Sequence, residues 1–228
     1  MSNMYDDAKT WNPFKGCRFD CAYCKPSFQA QAKRQKHNCT LCYSYIPHWH
    51  MERIDKIPNA KIVFVCGNGD IAFCHKKGLR LIINKIRENS EKHPGKTFYL
   101  QTKNPACLKP FCHDFPHSIV LVTTLETNRD EGYEQISKAP KPSTRYIDFH
   151  YIKYPRKVVS IEPIMDFDLK EFADWIIRIN PEYVWMGFNS RPKQVQLPEP
   201  GPVKTRQMIE VLSDAGIEIK FKHMRYMA

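Results

Sequence analysis

Short β-rich runs recur along the chain at residues 61–66, 97–102, 119–125, 157–162, 182–188 and 217–221. Their starts lie on average about thirty residues apart, the length of a strand–helix–strand unit. The segments between them read as helices. Leu79, Ile82, Ile83 and Ile86 follow the i, i+3, i+4, i+7 rule of one helical face. Asp168 with Glu171 has the spacing of a capping box, opening a helix that runs to about residue 179. Met208, Ile209 and Leu212 mark a further helix, closed by Gly216 at its C′ position. A weaker helical pattern starts near residue 129 and ends before Pro140. Residues 104–118 hold Pro105, Pro110 and Pro116, which leave room for a short turn only. Alternation of this kind specifies an α/β chain with a parallel sheet, either doubly wound or barrel-like.

Strand parity selects between the two. Gln101 and Lys103 share a face opposite Phe98 and Leu100, and Thr124 and Glu126 oppose Thr123 and Leu125. Ser160 and Glu162 oppose Val159 and Ile161, while Lys220 and Lys222 oppose Ile219 and Phe221. Each polar pair lies toward the C-terminal end of its strand. A barrel turns apolar residues outward under its helices and gathers polar ones inside its C-terminal mouth. A sheet covered on both faces shows no such one-sided pairs. The expected fold is therefore a partial, open parallel β/α barrel of about six to seven strands.

Length and charge add bounds. A chain of 228 residues buries a full core without disulfide staples, and residues 1–228 read as a single domain carrying a basic Cys/His-containing loop at about 26–58. The longest apolar run, residues 62–66, is far too short to cross a membrane, and the polar start is no secretory signal, so a cytoplasmic location is expected. Thirty-five Lys and Arg against twenty-four Asp and Glu give a net charge of +11, which attracts polyanions. A generally basic surface would produce the same excess. Nine cysteines, three of them within residues 17–24, favour metal or redox chemistry over disulfides.

Those three, Cys17, Cys21 and Cys24, form a C-x3-C-x2-C array after a short strand expected around residues 10–12. Thiolates so close in sequence can wrap one soft metal centre. Structural zinc usually takes four ligands in paired C-x2-C knuckles, whereas a compact triple leaves one iron of a cubane cluster open to a small molecule. With Tyr23 just before its last cysteine, the array resembles the hallmark of the radical S-adenosylmethionine superfamily. The chain is also similar to a branch of that superfamily found in phages and prokaryotes, through residues 10–17, 98–103, 159–163 and 221–222.

The resemblance implies a partial barrel holding a [4Fe–4S] cluster on Cys17, Cys21 and Cys24, with S-adenosylmethionine chelated at the open iron. It further implies reductive cleavage to a 5′-deoxyadenosyl radical that abstracts hydrogen from a substrate, and an electron donor such as flavodoxin or ferredoxin. Gly67, Asn68, Gly69 and Asp70 stand where the superfamily carries a Gly-rich segment near the methionyl amino group, with Asn and Asp replacing the commoner residues. In that frame Lys103 pairs with the methionyl carboxylate, and Thr124, Glu126 and Asn128 bond the ribose. Ser160 and Glu162 project into the same space, and Gly187 lets backbone approach the adenine. A structural alternative makes Lys103, Glu126, Glu162 and Lys220 a buried ion network that only satisfies the barrel interior.

Cys39, Cys42, His48 and His50 form a second set, suited to zinc or to a second iron–sulfur centre, or else to packing of a loop. Cys66, Cys74, Cys107 and Cys112 fall at or after strand ends, where some could reach the mouth. The basic excess is strongest over residues 75–110, and His75, Lys76, Lys77, Arg191, Lys193, Lys222 and Arg225 lie on the mouth side. With Trp49, Phe73, Phe188 and Tyr226 available for stacking, nucleic acid or a nucleotide is the expected substrate class. The alternative from another class is a non-catalytic zinc or iron–sulfur protein that binds nucleic acid.

Overall fold

The structure, a computed structural model, describes residues 8–225. Tyr226 lies outside the described residues. The strands are β1 (Ala8–Trp11), β2 (Phe14–Lys15), β3 (His48–Trp49), β4 (Ile62–Val65), β5 (Thr97–Thr102), β6 (Ile119–Thr124), β7 (Lys157–Ile161), β8 (Tyr183–Gly187) and β9 (Ile219–Lys222). Two short turns of helix, α1 (Ala30–Ala32) and α2 (Thr40–Tyr43), precede the four long helices. These are α3 (Lys76–Lys92), α4 (Pro142–His150), α5 (Leu169–Ile179) and α6 (Pro202–Asp214). None of the helices is long and apolar enough to cross a membrane among the described residues.

Seven strands form one sheet in the order β1-β4-β5-β6-β7-β8-β9, every neighbouring pair parallel. The sheet curls into an open half-barrel with β1 and β9 at its edges. Register puts Phe64 beside Tyr99, Val122 beside Val158, and Val158 beside Tyr183. With Val120 and Trp185 these residues plug the lower part of the inner face, where the Tyr183 hydroxyl donates to that of Tyr99 at 2.7 Å. Higher on the same face stand Gln101, Thr124 and Ser160, the positions that parity placed inside.

The outer face is mainly apolar, although Thr102, Thr123 and Lys157 also lie on it. Val63, Val65, Phe98, Leu100, Leu121, Val159, Val184 and Met186 pack into one core with Leu79, Ile82, Ile83 and Ile86 of α3. Phe172 and Ile176 of α5 and Met208 and Leu212 of α6 complete it. Each such side chain contributes roughly 1.5–3 kcal/mol by leaving water. The barrel is thus held from outside, which leaves its mouth free to be polar.

Local expectations met mixed outcomes. Gly216 does close α6: it sits at φ +78°, and the Ile217 N–H donates to the Leu212 carbonyl at 3.0 Å. The pattern from residue 129 yields only a three-residue 3-10 turn, Tyr133–Gln135, before Pro140. The chain there turns through Gly132 at φ +71°, and α4 starts after Pro140 with Pro142 in its first turn, where a missing N–H costs nothing. The capping box at Asp168 does not form either. Asp168 accepts from Arg129 Nη2 at 2.8 Å and Glu171 from Asn128 Nδ2 at 2.7 Å, so both carboxylates tie α5 to the loop after β6. Residues 105–111 form a 3-10 helix, the short element that three prolines allow.

Candidate active site at the barrel mouth

The cysteine array starts where the β2–β3 pair meets the barrel. Gly16, at φ +90°, bridges to Gly69, and a Cβ on it would lie 2.2 Å from the Ile46 carbonyl oxygen. The next residue, Cys17, donates its N–H to the Tyr45 carbonyl at 3.1 Å. The loop then passes Asp20 in the left-handed region and enters a single turn, Ala22–Cys24, after Cys21. The loop after β6 anchors it: the Ala22 N–H donates to the Ile136 carbonyl at 2.8 Å, the Lys138 N–H to the Phe19 carbonyl at 2.7 Å, and Cys21 Sγ lies 3.0 Å from Ser137 Oγ. Local spacing and long-range backbone bonds together present all three sulfurs to one cleft.

That cleft, open to solvent, has a cavity volume of about 220 Å³. Among the sequence-predicted residues, Tyr23, Gly67, Gly69, Asp70, Lys103, Thr124, Ser160 and Glu162 line it with the cysteines. Burial pushes the Cys17 thiol well above its ordinary range and the Cys24 thiol up to about 11. Both therefore stay protonated until a cationic centre claims them.

Four predicted residues are not brought to the wall. Glu126 is fully buried, with its carboxylate held by Lys103 Nζ, the Tyr23 hydroxyl, the Tyr133 hydroxyl at 3.2 Å and Arg145 Nη1 at 2.8 Å. Burial alone would raise this carboxyl, but the Arg145 and Lys103 cations overcome that and hold it at about 2. It holds the Lys103 ammonium in place. Asn128 is occupied by Glu171 and by the Asp168 N–H at 2.9 Å. Asn68 donates its backbone N–H to Asn12 Oδ1 at 3.1 Å and lines a neighbouring hollow. At Gly187 a Cβ would lie 2.3 Å from the Lys222 carbonyl oxygen, so this glycine lets β9 approach β8.

Asp70 lines the cleft but its carboxylate is structural. It accepts from Thr102 Oγ1 at 2.6 Å, the Lys103 N–H at 2.9 Å and the Ala72 N–H at 2.9 Å, which fastens the loop after β4 to the end of β5. Glu162 pairs with Lys222 at 2.7 Å. Lys220 takes no part in the mouth; its ammonium sits 3.7 Å above the Tyr183 ring, lower on the inner face. Of the other cysteines, Cys66 is on the wall, whereas Cys74 is in the outer core, with Cys107 and Cys112 packed against it. Of the aromatics offered for stacking, Phe188 lines the cleft; Trp49 packs on Phe14, and Phe73 on Phe19. The second Cys/His set is also gathered: one ligand atom from each of Cys39, Cys42, His48 and His50 lies within 4.8 Å of the others.

Sequence reasoning missed several residues on or behind the wall. Gln101, whose side-chain amide donates to Thr124 Oγ1 at 3.1 Å, was visible to the parity rule as an inward polar residue. Arg145 carried a signal too, a cation four residues before Phe149 on the buried face of a helix. Phe28, Tyr45, Asn189 and Ser190 arrive from loops and carry no local pattern.

No protein-family model matches the chain, and no curated protein matches it. Solved structures do. A radical SAM methyltransferase from Sphaerobacter thermophilus matches with TM-score 0.62 at 12% identity, over 97% of this chain and 68% of that one. The fold is a partial barrel of the radical SAM type. A spore photoproduct lyase variant gives 0.60 at 10% identity, over 97% of this chain and 80% of its own. SuiB from Streptococcus suis, bound to the precursor peptide SuiA, gives 0.59 at 10% identity over 96% of this chain. The match covers 49% of SuiB, so this chain spans about half the length of that protein.

The donor set at the mouth of this radical-SAM-type barrel fits a cluster with one open iron. Three thiols share the wall, and the carboxylates that could add a fourth ligand are already taken, Asp70 by three donors and Glu162 by Lys222. The remaining wall thiol, Cys66, is fully buried on the side of Cys74 and Asp70.

Proposed function

We propose that the chain is a radical S-adenosylmethionine enzyme whose cluster is held by Cys17, Cys21 and Cys24. The observation that carries this reading is the convergence of these three thiols on the C-terminal mouth of a radical-SAM-type half-barrel, with the neighbouring carboxylates Asp70 and Glu162 already engaged among the described residues. A [4Fe–4S] cluster bound there supplies the electron that splits the S-adenosylmethionine sulfonium, leaving methionine and a 5′-deoxyadenosyl radical that takes hydrogen from the substrate.

The chain's own residues do the rest. Lys103 presents a cation for the methionyl carboxylate, and Glu126 and Tyr23 hold that ammonium in place. Thr124, Gln101 and Ser160 offer hydroxyl and amide groups to a ribose on the inner face. Phe28, Phe64 and Phe188 give the cleft apolar walls. An electron donor such as flavodoxin or ferredoxin completes the reading.

The substrate class we assign is nucleic acid or a nucleotide, supported by the +11 charge and by exposed Lys76, Lys77, Arg191 and Lys193. Two measurements test these assignments separately. Anaerobic reconstitution should load about four iron atoms and visible absorption, both lost in a Cys17→Ala/Cys21→Ala/Cys24→Ala variant. Deuterium should pass from labelled RNA, DNA or a nucleotide into 5′-deoxyadenosine. Transfer from a labelled peptide alone would remove the nucleic-acid assignment and leave the radical one standing.

A further inference from the structure

Residues 26–58 make an excursion of thirty-three residues between the cysteine array and β4, and only Cys42, His50 and Ile54 of them are buried. A segment that long has too little apolar burial to hold itself, since ordering each residue costs about 1–2 kcal/mol of backbone entropy. Two of its three buried residues are metal-ligand types. They lie beside Cys39 and His48.

The local geometry explains how the four meet. Cys39 caps α2 and receives the Cys42 N–H on its sulfur at 3.4 Å, the form of a metal knuckle. On and just after β3, Trp49 turns inward against Phe14 and the first turn of α3, where a Cβ on Gly78 would lie 2.2 Å from its ring. Strand alternation then sends His48 and His50 together to the other side. His48 Nδ1 lies 2.7 Å from the Ile46 carbonyl, and His50 Nδ1 lies 2.9 Å from Glu52 Oε1. A carbonyl and a carboxylate only accept, so each Nδ1 carries its ring's proton and each Nε2 carries a lone pair. Yet the two Nε2 atoms face each other at 2.8 Å, with Cys42 Sγ 3.1 Å and 3.4 Å from them and Cys39 Sγ 3.5 Å from His48 Nε2. Two ring nitrogens and two sulfurs gathered this closely make the donor set of a single metal ion.

We infer that Cys39 Sγ, Cys42 Sγ, His48 Nε2 and His50 Nε2 bind one zinc ion, a structural site separate from the cysteine array. Tetrahedral zinc with bonds of about 2.0–2.3 Å spaces its ligands roughly 3.3–3.8 Å apart, the scale of this cluster. Ile46 and Glu52 supply the outer hydrogen bonds that orient metal-bound imidazoles. The ion also braces the mouth, because the Tyr45 N–H donates to the Cys42 carbonyl at 3.0 Å and the Tyr45 carbonyl accepts from Cys17.

The test reads metal and proteolysis, so it is independent of radical activity. Protein produced with zinc present should carry about one equivalent, kept by the Cys17→Ala/Cys21→Ala/Cys24→Ala variant and lost from Cys39→Ala/Cys42→Ala. Proteases should then cut the latter variant within residues 26–58 while its barrel signal in circular dichroism persists. His48→Cys, which restores a ligand, should keep the zinc. Cobalt(II) added to metal-free parent protein should give the visible bands of a tetrahedral thiolate site, a readout that needs no variant to fold. Zinc lost from the array variant but kept by Cys39→Ala/Cys42→Ala would overturn the assignment. So would parent protein that binds neither zinc nor cobalt.

Discussion

Lys103 and Glu126 show how one residue's burial sets another's task. Lys103 points into the cleft from the end of β5, and Glu126 stands behind it with no exposure to water. Lys103→Ala should leave iron content unchanged and weaken S-adenosylmethionine binding about tenfold, roughly 1.4 kcal/mol, as read by equilibrium dialysis. Glu126→Gln removes the carboxylate between two buried cations and should destabilise the fold by about 3–5 kcal/mol in urea unfolding. The same residue sets an acid limit. Its carboxyl sits at about 2 in the folded chain against an ordinary 4.5, so its contribution is complete above 4.5 and disappears as pH falls toward 2. That contribution is about 3 kcal/mol. Stability measured from pH 6 to pH 2 should therefore fall less steeply in Glu126→Gln than in the parent.

At the scale of elements, two glycines with similar backbone angles do different work. Gly16 and Gly216 both lie at positive φ, but a Cβ on Gly216 meets open space whereas one on Gly16 meets the Ile46 carbonyl. Gly216→Ala should cost about 1 kcal/mol and leave iron binding alone. Gly16→Ala should cost more and lower iron content, because it parts the cysteine array from the segment that braces it. The βα units were legible because apolar period and strand parity are local and regular: β5 falls on residues 97–102 as expected, and its inward pair Gln101 and Lys103 is in the mouth. Parity could not tell how far along a strand each inward residue sits, so Lys220 lies low on the inner face while Lys222 is at the mouth. Nor could it see tertiary competition. Asp168 and Glu171 leave the expected cap for Arg129 and Asn128, partners some forty positions earlier in the chain. Glu126 likewise pairs with Arg145, on a helix expected on the wrong side of Pro140.

Across the whole molecule, the curled sheet brings the candidate site's residues to one end, and Lys76, Lys77, Arg191 and Lys193 are exposed cations. Binding of RNA or DNA should weaken steeply between low and physiological salt, since each neutralised phosphate releases a counterion. Affinity unchanged by salt would exclude the electrostatic contribution. The most direct measurement is cleavage of S-adenosylmethionine by the anaerobically reconstituted, dithionite-reduced protein, followed by chromatography of the products. Methionine and 5′-deoxyadenosine should appear in equal amounts with the parent chain and be absent with Cys17→Ala/Cys21→Ala/Cys24→Ala. Intact S-adenosylmethionine after incubation with parent protein that carries its full complement of cluster would contradict the radical reading.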